Sequence, residues 1–482
     1  MTIKAIKDPI HGFIEFEGDF ENGLRQLLDD PFFLRLRKVK QLGFSDHIFP
    51  SATHTRFSHS LGVYCVARRM LAIVEPNAGP DEWSKKGKAC LAAALLHDIG
   101  HGMFSHAFEG AMENFLKEAK LSGGQDIALR AAVNHEKISE RIIMESSVAD
   151  TLKVIGGTDF PKLVSDIVRG KDKTCIYTSI VSSQLDADRL DYILRDPYFA
   201  GVSSGRIDID WIIKNLRYSD VGNLLYFDTK AYISMEQFAV SLFQLYPTIY
   251  LHKKTRALEH MFSKMLCRIF ELISDNRSSD AGISSSHPFV KFFSDPSSLD
   301  SSLLLDDTVL WGSMYQFRSC DDRRVKDLAI AISNRKIYKM VDLWRLADEL
   351  YSELGLENKY TAKSRVEILN DICPMAFEKL CDKHSGWEAH LFYDNYSRKV
   401  YSPASSGEGS PQQINIKIGE KFVDIFDMSP IVASSASFHI HRLYFDPDSF
   451  TEVTELNNSL RETLRDALFK LKFPEDKAIA SS

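Results

Sequence analysis

The segment "LLHDIGHGMFSH", residues 95–106, sets three histidines and an aspartate among apolar and small residues at the end of an alanine- and leucine-rich run. A polar group buried there without a partner costs about 1–3 kcal/mol. Any fold for this chain must therefore bring hydrogen-bond partners, charges or a bound ion to that segment. One such histidine alone reads as a satisfied core residue beside a helix cap. Taken together they read as part of a ligand set, provided that further ligands arrive from elsewhere. Eight of the fifteen histidines lie before residue 136: His11, His47, His54, His59, His97, His101, His106 and His135.

Apolar residues recur at i, i+3, i+4 through 21–45, 57–76, 87–98 and 126–145, which predicts amphipathic helices there. A further helix is expected over 180–197, ended by Pro197, and another block over 234–275. Residues 207–228 read as a helix followed by a β-hairpin turning at "VGN". Ser, Asp and Pro then dominate 276–304, read as a surface connection or insert, before a helical pattern resumes over 305–380. From about 381 to 482 alternating strand-like segments appear, with a loop at 402–412 and a last helix over 453–472. The expected fold is mostly α: a helical core over 1–275, the connection, a helical extension, and a small C-terminal α+β region.

Composition narrows the function. A net charge of −7 over 482 residues argues against a general nucleic-acid binder. Seven scattered cysteines, none in a CxxC spacing, suit a reducing compartment and argue against both a disulfide framework and a zinc ribbon. The N-terminus shows no secretory pattern, and no apolar run is long enough to cross a bilayer, so a cytoplasmic protein is expected.

Spacing then groups the chemistry. Arg56 and His59 in "HTRFSHS" stand i, i+3 and share a helix face. In "LDADRLDYILRD", Asp188, Tyr192 and Asp196 form one stripe opposite a well-populated apolar side, as on a helix lining a cleft; a solvated face is the alternative. Neutral imidazoles with two carboxylates suit a borderline divalent metal such as Fe, Mn, Zn, Ni or Co. Arg56, Arg189 and the "HKKTR" run (Lys253, Lys254, Arg256) offer charge to phosphate.

The ordered set His59…His97-Asp98…Asp188 resembles the HD-domain metal-dependent phosphohydrolases. Its context is narrower: "DPIHGFIEF", "RLRKVKQLGFSDHIFPSATHTRFSHSLGVY", "LLHDIGHGMFSHAFE", "NHEKIS" and "DADRLDYILRD" are similar to the branch of bacterial deoxynucleoside triphosphate triphosphohydrolases and the mammalian sterile-alpha-motif/HD dNTPase. The likeness spans 1–275, and "SPIV…HRLYF" fits bacterial members that lack the sterile-alpha-motif domain.

The resemblance implies an HD helical core in which His59, His97, Asp98 and Asp188 hold the metal. Arg56 and Arg189 would grip phosphates, the second where the family more often has lysine. His106 and His135 would stand by the α-phosphate as proton donors, with Glu109 orienting His106 and His101 a further polar contact. Gln41 and Asp196 would bond the sugar 3′-hydroxyl, Leu42 would pack where a 2′-hydroxyl would stand, and Tyr192 would stack by the sugar. "YPTIYLHKKTRALE" departs from the family pattern, so Tyr250, His252, Lys253 and Arg256 are either replacements for base and phosphate contacts or part of a solvated basic face. The implied reaction is hydrolysis of dNTP to deoxynucleoside and inorganic triphosphate, with Mg²⁺ accompanying the nucleotide. A homo-oligomer, tetramer or dimer, with an activating nucleotide between subunits is also implied. Three alternatives stay open. They are an HD phosphodiesterase or phosphatase on another nucleotide, a nucleotide-sensing oligomer with incidental turnover, and a nuclease, which the acidic charge disfavours.

Overall fold

Residues Ala89–Leu96 of "ACLAAALL" are all fully buried, because a helix apolar on every side must be surrounded. That helix, Lys85–Leu96, packs against Arg56–Val74 and Phe160–Val168, and Arg56–Val74 packs in turn against Ala187–Ala200. The computed structural model describes residues 4–119, 121, 123–203, 207–356, 362–384, 387, 391–403, 409–434, 437–448 and 453–470. It is mostly helical with a few small sheets, as the sequence predicts.

The chain divides into two units. The first comprises Met1–Thr255, Met261–Asn334 and Val400–Ala436. It holds the packed helices above and an N-terminal hairpin, Lys4–Asp8 with Gly12–Phe16. It also holds a four-stranded sheet in the order Leu216–Ser219, Leu224–Asp228, Asn415–Ile418, Lys421–Asp424, whose central pair is parallel. The second unit comprises Arg256–His260, Arg335–Lys399 and Ser437–Ser482. In it the strand Ser437–Phe445 lies between Lys339–Asp342 and Leu391–Lys399, antiparallel to both. Helices Leu343–Glu353, Ala362–Lys383 and Val453–Lys470 share a core with that sheet through Leu350, Ile372, Leu380, Leu443, Leu460 and Leu464. The strands expected after residue 381 thus fall into two sheets, one in each unit.

Local chemistry explains where the elements differ from the periodicity. The stretch 21–45 breaks at Pro31, which takes the first position of a short helix capped by the Asp30 carboxylate. Asn134 splits 126–145 by capping His135–Glu145 through Lys137 N. Residues 180–197 hold two helices, because Asp186 caps a new one at Ala187. That helix runs through Pro197 and stops at Gly201, whose φ of 68° suits glycine. The Ser/Asp-rich stretch 276–304 carries helices Pro288–Ser294 and Leu299–Leu303, anchored by buried Phe289 and Phe292. Residues 404–408 of the loop expected at 402–412, and 471–472 of the last helix, lie outside the described residues.

Candidate active site

Helix Arg56–Val74 opens with Arg56 and places His59 one turn on; His97 closes Lys85–Leu96, with Asp98 beside it; Asp188 sits in the first turn of Ala187–Ala200. The three helices bring these four side chains together. His97 Nδ1 stands 2.9 Å from the Ala94 carbonyl and so carries the proton it donates there. Its lone pair is therefore on Nε2, which is buried, has no hydrogen-bond partner among the described residues, and faces Asp98 Oδ1 at 3.4 Å and Asp188 Oδ1 at 3.8 Å. His59 Nε2 lies 3.0 Å from Asp188 Oδ1 and 3.7 Å from Asp98 Oδ2.

Lone pairs aimed at carboxylates repel unless positive charge lies between them. Burial opposes the imidazolium of His59, yet hydrogen bonds and charge from Asp188 and Asp191 push its pKa up to about 10, so the carboxylates around it favour positive charge at this point. Two imidazoles and two carboxylates fit a borderline divalent metal. His59, His97 and Asp98 offer ligand atoms all within 4.8 Å of one another, and no cysteine joins them among the described residues.

A buried network holds this set in place. His59 Nδ1 donates to Asp191 Oδ2 at 2.7 Å, which fixes its tautomer. Asp191 also takes His11 Nε2 at 2.6 Å and two bonds from Arg195, at 2.8 and 2.9 Å, and Arg195 reaches Asp8 at 2.9 Å. Both Asp191 and Arg195 are fully buried. Space is made by Gly62, where a Cβ would stand 1.8 Å from Asp191 Oδ1.

Next to these four side chains stand His101, His106, Glu109 and His135, again with possible ligand atoms within 4.8 Å of one another. Glu109 meets His135 Nδ1 at 2.6 Å and His106 Nδ1 at 3.2 Å. Burial would raise the Glu109 carboxyl, but those hydrogen bonds and the neighbouring histidines hold it well below the carboxylate range. Burial works against a charged His135 too; the Glu109 hydrogen bond and charge outweigh it and raise its pKa. His101 stacks on His135 at 4.0 Å, and burial followed by the charges of Arg56 and His135 keeps it neutral. His106 is the exposed member of the group, its side chain 67 % accessible.

Arg56 pairs with Asp98 and donates to Ser105 Oγ at 2.7 Å. Gln41 lies on a segment running antiparallel to 54–56, with Gln41 N bonded to the His54 carbonyl and Arg56 N to the Val39 carbonyl, each at 3.0 Å. Gln41 Oε1 is buried without a hydrogen-bond partner among the described residues, and Leu42 is buried beside it. Asp196 accepts from His54 Nε2 at 2.9 Å and from Tyr250 OH at 2.6 Å, and Tyr250 meets the Tyr192 ring edge-on. Arg189 reaches Gln184 Oε1 and the Val400 carbonyl, both at 3.4 Å. Lys253 is exposed at the start of Lys253–Ser274, and no hydrogen bond among the described residues ties it to the cluster.

Asp8, His11, His54, Gly62, Asp191 and Arg195 also belong to the site, though sequence spacing alone gives them no role. A signal was present for two of them: Asp191 and Arg195 stand i, i+4 on the helix that supplies Asp188. Gly62 lies three residues beyond His59, within "HSLGVY".

A family model described as "HD domain" matches residues 56–194. An uncharacterised Bacillus subtilis protein, YwfO, is 30 % identical over 419 residues, covering 84 % of this chain and 88 % of that one. Bovine deoxynucleoside triphosphate triphosphohydrolase SAMHD1 is 30 % identical over 252 residues, which cover 48 % of this chain and 41 % of the relative. The chain thus spans less than half the length of that relative. A crystal structure of a Bacteroides thetaiotaomicron phosphohydrolase shares the fold with a TM-score of 0.67 at 24 % identity, covering 92 % of this chain and all of that one.

Proposed function

The chain belongs to the HD-domain family, and from that premise we propose that it is a metal-dependent phosphohydrolase that converts dNTP to deoxynucleoside and inorganic triphosphate. The observation that carries the reading is the buried His97 Nε2, without a hydrogen-bond partner among the described residues, which faces two carboxylates beside the Glu109 cluster. His59, His97, Asp98 and Asp188 would hold the metal, which when bound supplies Lewis-acid polarisation of phosphate and activation of water.

The chain's own groups do the rest. Arg56 and Arg189 neutralise phosphate charge, and the Ser105 hydroxyl aims the Arg56 fork. Water adds at the α-phosphorus and the 5′-oxygen of the nucleoside leaves. An alkoxide leaves poorly, so it must take a proton. His135, kept charged by Glu109, is poised to give one, with His106 the second donor on the same carboxylate. His101 stays neutral between them. At the sugar, Gln41 Oε1 is an acceptor awaiting a hydroxyl donor, Asp196 is oriented by His54 and Tyr250, and Leu42 offers no partner to a 2′-hydroxyl. Tyr192 closes that side, and Mg²⁺ would accompany the triphosphate.

The relationship to the deoxynucleoside triphosphate triphosphohydrolases extends the proposal to a homo-oligomer activated by nucleotide. Light scattering with and without dNTP tests that extension. The reaction itself is tested by chromatography of products from each dNTP and rNTP under Mn²⁺, Fe²⁺ and Mg²⁺. Deoxynucleoside plus triphosphate, abolished in Asp188→Ala, supports it. Monophosphate or stepwise phosphate release points instead to the phosphodiesterase or phosphatase reading.

A further inference from the structure

Helix Asp307–Ser319 lies more than a hundred residues beyond the stretch that the HD family model matches, yet its first turn reaches the site. Asp307 is 3 % exposed. One of its oxygens accepts the backbone N–H of Lys40 at 2.9 Å, and the other accepts that of Phe104 at 2.7 Å. Lys40 adjoins Gln41 and Leu42. Phe104 adjoins Ser105, the residue that aims Arg56 and precedes His106.

The Phe104–Ser105 turn is strained: φ is 50° at Phe104 and 53° at Ser105, a left-handed backbone that side chains with a Cβ disfavour. Such a turn persists where its surroundings over-determine it. One turn along the same helix, Trp311 stands edge-on to Phe44 and to Phe104, which stack on each other at 4.2 Å, and Trp311 also stacks on His47 at 5.3 Å. Just before the helix, Arg35 donates to the Leu305 and Ile99 carbonyls, at 3.1 and 3.0 Å, tying the same loops together again.

We infer that Asp307 and Trp311 form a clamp that fixes the spacing between the sugar edge, Gln41–Leu42, and the phosphate edge, Ser105–Arg56, and so act as positioning residues for deoxy-over-ribo discrimination. The inference rests on the proposed reading of Gln41–Leu42 as the sugar edge. A leucine excludes a 2′-hydroxyl when it cannot recede, and the clamp removes that freedom. The carboxylate is specific to the task, because each of its oxygens meets one N–H. An amide of the same size would turn an NH₂ towards one of the two donors and release that loop.

The test compares wild type with Asp307→Asn and with Asp306→Asn. Asp306 is the neighbouring buried carboxylate, which caps the helix at Thr308 N and does not reach either loop N–H. Two quantities are read. One is hydrogen exchange of peptides covering 38–44 and 102–106; the other is the deoxy-to-ribo ratio for dATP against ATP, in equilibrium binding as well as kcat/KM. Asp307→Asn is expected to speed exchange in both peptides together and lower the ratio by about tenfold. Asp306→Asn should leave the ratio as in wild type.

Unchanged exchange in Asp307→Asn overturns the clamp, and faster exchange with an unchanged ratio overturns its role in discrimination. If Asp307→Asn does not fold, Trp311→Phe should show the same two changes in smaller measure, and a wild-type profile there overturns the inference. A wild type that treats dATP and ATP alike fails at the sugar-edge reading, before any variant is made. A wild type that releases other products fails the hydrolase reading, while the binding ratio still decides the clamp.

Discussion

Asp191 Oδ2 lies 2.7 Å from His59 Nδ1, so a buried carboxylate leaves His59 Nε2 as the nitrogen that faces Asp188 and Asp98. The same carboxylate takes two bonds from Arg195 and one from His11, so ligand orientation and core electrostatics are a single network.

Asp191→Asn separates those roles. The amide keeps the shape but leaves Arg195 short of one negative charge and His59 free to carry its proton on either nitrogen. Breaking a buried pair in this way costs about 3–5 kcal/mol. Loss of a carboxylate behind a metal-bound histidine lowers metal affinity by roughly 10–100-fold. Urea denaturation and competition with a chelator measure the two effects, and a variant with wild-type metal affinity would contradict the assigned orientation.

Gly62→Ala and Gly110→Ala make a matched pair. A Cβ at Gly62 would lie 1.8 Å from Asp191 Oδ1 and 2.5 Å from Arg195 Nη2, both rigidly held, whereas at Gly110 nothing lies within 4 Å. Gly62→Ala should destabilise by about 1–3 kcal/mol, as overpacking does. Gly110→Ala, inside His106–Glu118, should stabilise by about 0.5–1 kcal/mol through helix propensity. Thermal melts of the two variants should move in opposite directions.

Glu109 sets the pH response. His135 is raised above its ordinary 6.5, so the charged form and the stability it brings are fully present below 6.5 and lost as pH rises through the raised value. Glu109 is lowered below its ordinary 4.5, so its contribution is present above 4.5 and lost only as pH falls through the depressed value. If charged His135 is the proton donor, the basic limb of the kcat profile lies above 6.5. Glu109→Gln should move that limb down in pH and lower kcat more than it raises KM. A basic limb that stays in place excludes His135 as the donor.

Leu42→Ala opens the space beside the sugar. Wild type should prefer dNTP over rNTP by about tenfold to hundredfold in kcat/KM, and the variant should lose most of that preference while retaining dNTP turnover. Equal loss for both sugars would make Leu42 a packing residue and nothing more.

The convergence of His59, His97, Asp98 and Asp188 was legible because the ordered set resembles the HD motif, and two parts of it sit at helix boundaries, Thr55 before Arg56 and His97 after the alanine run. The grouping of His106, Glu109 and His135 followed from the same resemblance, and the structure brings the three together. What stayed hidden depends on tertiary approach. His11 meets Asp191 across 180 residues, and Asp307 meets Phe104 across 203, distances over which no periodicity speaks. Asp191 escaped for a different reason: its i, i+4 pairing with Arg195 reads as an ordinary exposed helix pair, and only burial turns it into an orienting carboxylate. The short helices of 276–304 were not legible because serine, aspartate and proline dominate its composition, while a few buried phenylalanines such as Phe289 and Phe292 anchor it.

The central claim is that water adds at the α-phosphorus and the nucleoside oxygen departs. Hydrolysis of dGTP in ¹⁸O-labelled water, read by mass spectrometry of both products, tests it most directly. The account predicts one ¹⁸O in inorganic triphosphate and none in deoxyguanosine. Label in deoxyguanosine would mean that carbon–oxygen cleavage occurs, and label in a monophosphate or in pyrophosphate would mean that a different bond breaks; either contradicts it.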